Sequence, residues 1–353
     1  MNEQWKQYLQ SKGAILTSDN QHVEHFGALA TEQNAIANGN IITPITDMAY
    51  IHAAGEDAKS FLQGQLTNDI GLLSPTLSQL SGYCNPKGRL LTLFRITQHI
   101  DGYRLHLPHS LLEQTLKRLK MFVLMAKVTL EANSAEAVRI GLSGSGAIDQ
   151  LKKEINNLPV NDNEVSDENG ITIIKHPGAE QRIELIGDQH VIQGLWEKLS
   201  PTLTSAGSHA WPLLNINSAQ PQIVSETVEM FIPQMLNLHV INGVSFKKGC
   251  YPGQEIVARL HYRGKLKRHM HIAEFSADHC PAAGTPLYPA GEENEAQPIG
   301  NIVLIEPISP SRYRALCVIA NEFSITNKTS LQNDKKALLE IIDLPYNFPS
   351  DEA

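Results

Sequence analysis

The feature that most limits how this chain can fold is a change of texture at Gly264. Helical and extended patterns alternate before it, and only short β-type runs follow it. Residues 270–275, 285–288, 299–305 and 313–319 are such runs, parted by Gly and Pro signals. That is the pattern of a small all-β barrel or sandwich.

Upstream, residues 41–51 alternate as a strand does. Residues 55–66 place Ala58, Phe61, Leu62, Gln65 and Leu66 on one helical face. Residues 81–85 and 89–98 read as strands joined by the Pro86-Lys87-Gly88 turn, with a third at 103–107. Ser110-Leu111-Leu112-Glu113 has the form of a capping box and opens a helix to about residue 125. Residues 127–131 and 137–142 look extended, and 152–170 is a polar connection. Residues 171–175 and 182–186 flank His176-Pro177-Gly178-Ala179 as a hairpin, with a helix over 188–199. The expected class is α+β, then β. At 353 residues the chain is long enough for two or three domains. Residues 1–39 read as a peripheral extension, 40–264 as the α+β region and 265–345 as the C-terminal β-barrel.

Composition bounds the function. Hydrophobic content of 42% and charged content of 19% describe a soluble globular chain. No apolar run reaches the roughly 18 residues of a membrane span, and the first residues lack the order of a secretory signal. The four cysteines are scattered with no Cys-x-x-Cys pair. This argues against a disulfide framework or a self-contained zinc site, and a reducing cytoplasm is the expected compartment. The net charge of −8 is uneven: residues 247–268 carry +6 and the remainder −14. A basic field in an acidic chain is expected either to meet an anionic ligand or partner or to be a solvated turn.

That basic run begins at Lys247-Lys248-Gly249-Cys250-Tyr251-Pro252-Gly253-Gln254-Glu255. Pro252 followed by polar Gln254 and Glu255 reads as a helix start. A thiol before a helix N-terminus and beside ammonium groups ionises more easily. A buried cysteine next to a turn is the plainer alternative, and these nine residues do not decide between them. Glu255 and Arg259, four apart on the following helix, read as an ion pair or as a pair that orients the loop. Elsewhere, His269-x-His271 puts two rings on one strand face without a third ligand, so no metal site is expected. The Gly-rich stretches match neither a phosphate loop nor a dinucleotide fingerprint and read as turns. Trp211 is either core filler or a flat face for an aromatic ligand.

Together these residues resemble a family. Phe231-Ile232-Pro233-Gln234, Asn237-Leu238 and the run from Gly243 through Cys250 to Glu255 are similar to the signature of the YgfZ proteins, folate-binding relatives of the glycine-cleavage aminomethyltransferase. The resemblance extends over 47–69, Asn85-Pro86-Lys87-Gly88-Arg89 and 211–216. It implies an aminomethyltransferase-like fold for 40–264, two interleaved α+β subdomains around a folate channel, with the barrel after it. It implies tetrahydrofolate as cofactor and a part in making or maintaining iron–sulphur enzymes, tRNA-thiomethylating enzymes among them. The implied partners are iron–sulphur client enzymes or assembly factors, with no membrane.

By the same resemblance, Cys250 is the reactive thiol, with Lys248, Glu255 and Arg259 beside it. Trp211, Met48, Asp47, Tyr251 and Gln254 are the implied folate-side residues. Met48 stands where the family has a second tryptophan. Thr92 and Leu93 stand where the aminomethyltransferase has an acidic pair, and neither can act as a carboxylate base. An accessory role is therefore expected ahead of turnover. The alternatives are folate-dependent one-carbon transfer and, weakest, a direct tRNA-binding module on the basic run. No stable direct tRNA binding is expected, because the chain is acidic and offers few candidate exposed aromatics.

Overall fold

The computed structural model describes residues 1–132, 137–291, 297–324, 328–331 and 337–348. Three large sheets organise them, beside a two-stranded one of Ile15–Leu16 and Val23–His25. A five-stranded antiparallel sheet runs in the order Gln79–Cys84, Leu90–His99, Gly102–Pro108, Met48–Ala54, Thr129–Ala132. A six-stranded sheet runs Val165–Glu168, Ile171–His176, Arg182–Asp188, Ala137–Ser143, Ile41–Pro44, Thr204–Ser205, and only its last pair is parallel. A third, antiparallel sheet after residue 264 curls into a half-barrel.

The first two sheets interleave at one point. The alternation over 41–51 predicts one strand; the chain instead forms Ile41–Pro44 in one sheet and Met48–Ala54 in the other. Pro44 lacks an N–H to extend the ladder, and residues 45–47 carry the chain across. Asp47 lies on this crossing, where its carbonyl accepts from the His109 N–H at 2.7 Å.

Strand periodicity explains how the layers share cores. On Arg268–Ser276, Met270 and Ile272 point into the core of the five-stranded sheet, while Ala273 and Phe275 point into the half-barrel's own core. Leu316 and Val318 make the same division with Ala315, Cys317 and Ile319. The first residues, expected at the periphery, also carry core: Trp5 and Leu9 pack with Trp196 beneath the six-stranded sheet.

The expected helix to residue 125 is shorter. It runs Leu112–Lys120 after a 3₁₀ turn, without a side-chain cap. Leu124 takes φ +46° and the chain turns, leaving Met121, Phe122, Leu124 and Met125 exposed. No helix among the described residues is long and apolar enough to cross a membrane.

Candidate functional site

A cleft opens where the two interleaved sheets meet the Ala210–Asn217 helix. The crossing gives it Asp47 and Met48, and the five-stranded sheet gives Leu80, Leu93, Arg95 and His106. The hairpin of the six-stranded sheet gives His176 and Glu184. The helix gives Trp211 and Asn215, and the chain after it Gln220, Pro221 and Gln222. About 620 Å³ lies between these atoms, open solvent at the mouth included.

Its floor is a buried charge network. Arg139 donates to Glu184 Oε1 at 2.8 Å, to the Ala49 carbonyl at 3.2 Å and to His106 Nδ1 at 2.7 Å. His176 Nε2 lies 2.8 Å from Glu184 Oε2. Burial alone would raise the Glu184 carboxyl; the Arg139 guanidinium and the His176 ring outweigh it and hold that carboxyl well below the usual range. Burial, and then Arg95, push His176 down to about 4. Burial, and then Arg139, push His106 well below its ordinary value. Both rings are therefore neutral near pH 7. His106 accepts at Nδ1 from Arg139 and donates from Nε2 to Thr97 Oγ1 at 3.0 Å; His176 donates from Nε2 to Glu184. Burial raises Asp47, with its own backbone amide, then His22 and Arg139, only partly offsetting it. Glu306, on Gly300–Ser309 of the half-barrel, is pushed up to about 8 by burial and by the charge of Asp47.

Trp211 forms a wall of this cleft rather than an open platform. It is 4% exposed. A Cβ added to Gly141 would lie 2.3 Å from its ring, Arg182 sits 5.5 Å from its centroid, and His176 meets it edge-on at 5.1 Å. Met48 is half-buried, and its sulphur accepts from Gln222 Nε2 at 2.9 Å. One polar atom here lacks a partner: Gln220 Oε1 is buried and makes no hydrogen bond. An unpaired buried acceptor in a cleft lining fits a ligand with an N–H edge. Leu93 gives the cleft an alkyl wall, while Thr92 is buried.

The cysteine loop stands apart and contributes no residue to this lining. Cys250 is exposed. Lys248 is 8% exposed and turns inward, donating to the carbonyls of Gln63 and Leu66 at 2.5 Å each, with its Nζ 5.0 Å from the Tyr251 ring centroid. Burial lowers it to about 8. Its ammonium thus anchors the loop to the segment after the Ala58–Gln63 helix. Tyr251 is buried, and burial, then Cys84, raise its hydroxyl.

The expected helix forms as Gln254–Arg263, capped by Gly253 at φ +83°. A Cβ on Gly253 would meet the Asn85 carbonyl at 2.5 Å and Gly88 Cα at 2.6 Å, so only glycine lets the loop lie on the 85–89 turn. Gln254 reaches the Gly249 carbonyl at 3.5 Å, a long contact. Glu255 and Arg259 are both exposed and form no ion pair among the described residues. Holding two solvated side chains together costs about as much entropy as the attraction returns.

One element spans both places. The Gln79–Cys84 and Leu90–His99 hairpin sets Leu80, Leu93 and Arg95 in the cleft and its 85–89 turn under Gly253. Five residues of strand are about 15 Å. Sequence reasoning found Asp47, Met48 and Trp211, which the fold brings together, and the cysteine-loop residues, which it gathers elsewhere. It missed Arg139, Glu184, His106, His176, Gln220 and Glu306. A signal existed for the first two, since Arg139 and Glu184 are charges inside otherwise apolar strand runs.

The fold and cleft together define an aminomethyltransferase-type architecture with a detached cysteine loop. Its backbone matches the glycine cleavage system aminomethyltransferase T from Bartonella henselae with a TM-score of 0.76, over 96% of each chain at 17% identity. No family model matches the chain. Relatives carry the name tRNA-modifying protein YgfZ. The one from Yersinia pseudotuberculosis serotype IB (strain PB1/+) is 31% identical over 308 residues, which is 87% of this chain and 93% of the relative. The one from Pectobacterium carotovorum subsp. carotovorum (strain PC1) is 29% identical over 332 residues, 93% of this chain and 99% of the relative. The chain belongs to the YgfZ family.

Proposed function

We propose that this chain binds tetrahydrofolate in the cleft and serves, in the cytoplasm, the upkeep of iron–sulphur enzymes on which tRNA thiomethylation depends. The observation that carries the reading is the unpaired Gln220 Oε1 in a cleft walled by Met48 and Trp211 and floored by Glu184. A flat heteroaromatic ring with N–H groups on its edge satisfies that acceptor and the remaining lone pairs of Glu184. The relatives' name, tRNA-modifying protein, supports the link to tRNA.

Bound tetrahydrofolate would supply a carrier for one-carbon groups. The chain's own residues orient it. Arg139 holds Glu184 in one rotamer as an acceptor, and Met48, Trp211 and Leu93 confine the ring. Cys250, exposed on its loop, is the thiol offered to a client enzyme or assembly factor. Lys248 and Tyr251 hold that loop in place. The test is tRNA from cells whose own copy is deleted and replaced by Cys250→Ala. Thiomethylated nucleosides should fall while the protein level holds; normal amounts would remove the cysteine from the reading.

A second reading, one-carbon transfer with turnover, is favoured by Asp47, a half-buried carboxyl in the cleft held above its ordinary value by burial. Sustained formation of 5,10-methylene-tetrahydrofolate from methylated amines, lost in Asp47→Asn, would put that reading first.

A further inference from the structure

We propose that the exposed end of the Gln254–Arg263 helix docks an unpaired segment of RNA, a base stacking on its aromatic cluster and the backbone following its cations. The sequence alone ranked RNA contact last because the chain is acidic and offers few candidate exposed aromatics; the structure gathers three rings here. Phe246 and His261 stack with centroids 3.7 Å apart and planes 8° from parallel. Tyr262 stands edge-on to both, 6.3 Å from Phe246 and 4.8 Å from His261, and is 66% exposed. His261 is exposed as well, while Phe246 is half-buried and packs against the core, so the two outer rings form a surface platform with Phe246 as its base.

Around it Arg259, Arg263 and Lys265 are all exposed. They belong to the +6 segment of a chain that is −14 elsewhere. Such charge complementarity selects an anionic occupant and repels it from the rest of the surface. An acidic peptide would use the cations but leave the rings idle. An unpaired nucleotide uses both, since every base has a face to stack and a phosphate to neutralise. A duplex keeps its bases inside and cannot reach the rings. The site lies on the helix that follows Cys250, so an RNA held there sits beside the thiol loop. Only a few cations contribute, so the contact is salt-sensitive and short-lived rather than a stable complex.

The inference takes RNA from the proposed link to tRNA and owes nothing to folate. Its assay contains no folate, so failure here leaves the folate reading standing, and the converse holds. The full chain is titrated into a fluorescein-labelled RNA hairpin with an unpaired loop, and anisotropy is read over a salt series. Binding should appear at low salt. Tyr262→Ala should weaken it by about tenfold at fixed salt, the scale of one lost base stack. Tyr262→Phe should retain it. The Arg263→Ser, Lys265→Ser pair should flatten the log–log salt slope by about 1.4. All of these side chains are exposed, so melting curves should not move.

Three results would overturn the proposal. One is no anisotropy change at the lowest salt. Another is Tyr262→Ala binding as the wild type does. The third is equal competition by a blunt duplex or by an acidic peptide of matching charge, which would mark the surface as a purely electrostatic one.

Discussion

The cleft and the cysteine loop use charge in opposite ways. In the cleft, Arg139 and Glu184 have side chains 4% and 6% exposed and are joined to two neutral imidazoles. At the loop, Glu255, Arg259, Arg263 and Lys265 are exposed, and Lys248 is the cation taken inside. Buried charges must be fully paired or they cost several kcal/mol, so the cleft has one arrangement and presents fixed acceptors. Solvated charges cost little in any arrangement, so the loop is free to meet a partner. A rigid cleft with paired charges and a loop with solvated ones are thus linked by one β-hairpin.

The largest test breaks the cleft. Arg139→Met leaves Glu184 with His176 alone and His106 Nδ1 without its donor, and should lower unfolding stability by about 3–5 kcal/mol in denaturant melts. Arg259→Ala, at the loop, should change it by less than about 0.5 kcal/mol.

Acid should act on the same region. An unfolded histidine takes a proton near pH 6.5, whereas folded His176 takes it only near 4. Between those values the unfolded state binds protons that the folded state refuses, so stability falls as pH falls. The loss from His176 should reach roughly 3 kcal/mol by pH 4. Glu184, held low by Arg139 and His176, adds to the decline below about 4.5. A melting temperature that is flat from pH 6.5 to 4 would contradict neutral buried rings.

The hairpin link comes next in size. Gly253→Ala forces a side chain into left-handed backbone and against the 85–89 turn, and should cost about 1–3 kcal/mol. Limited proteolysis should then cut near Cys250 first, and a tetrahydrofolate titration should match that of the wild type. The smallest stability effect belongs to Cys250→Ala, under about 0.5 kcal/mol, because the side chain is exposed. Its whole effect should fall on activity in cells.

What was legible in the sequence follows the same division. The loop is contiguous, so Pro252, Gln254 and Glu255 announce their helix locally, and the Gln254–Arg263 element forms as expected. The hairpins and the β texture after Gly264 are also local, and they hold. The cleft is not local. Arg139 meets Glu184 across 45 residues and His106 across 33, pairings that no periodicity encodes. The inward turn of Lys248 was hidden for the same reason, because its acceptors lie 185 and 182 residues away. The strand over 41–51 divides because two sheets, not one, claim its ends.

The proposed function puts folate recognition in the cleft and not at the cysteine. Calorimetric titration of tetrahydrofolate into wild type, Cys250→Ala and Gln220→Met tests it most directly. Wild type and Cys250→Ala should bind alike. Gln220→Met should bind about tenfold more weakly with little change in melting, since Oε1 is a buried acceptor without a partner in the fold and Nε2 makes only a long contact to the Ser218 carbonyl at 3.4 Å. Binding lost in Cys250→Ala and unchanged in Gln220→Met would contradict it.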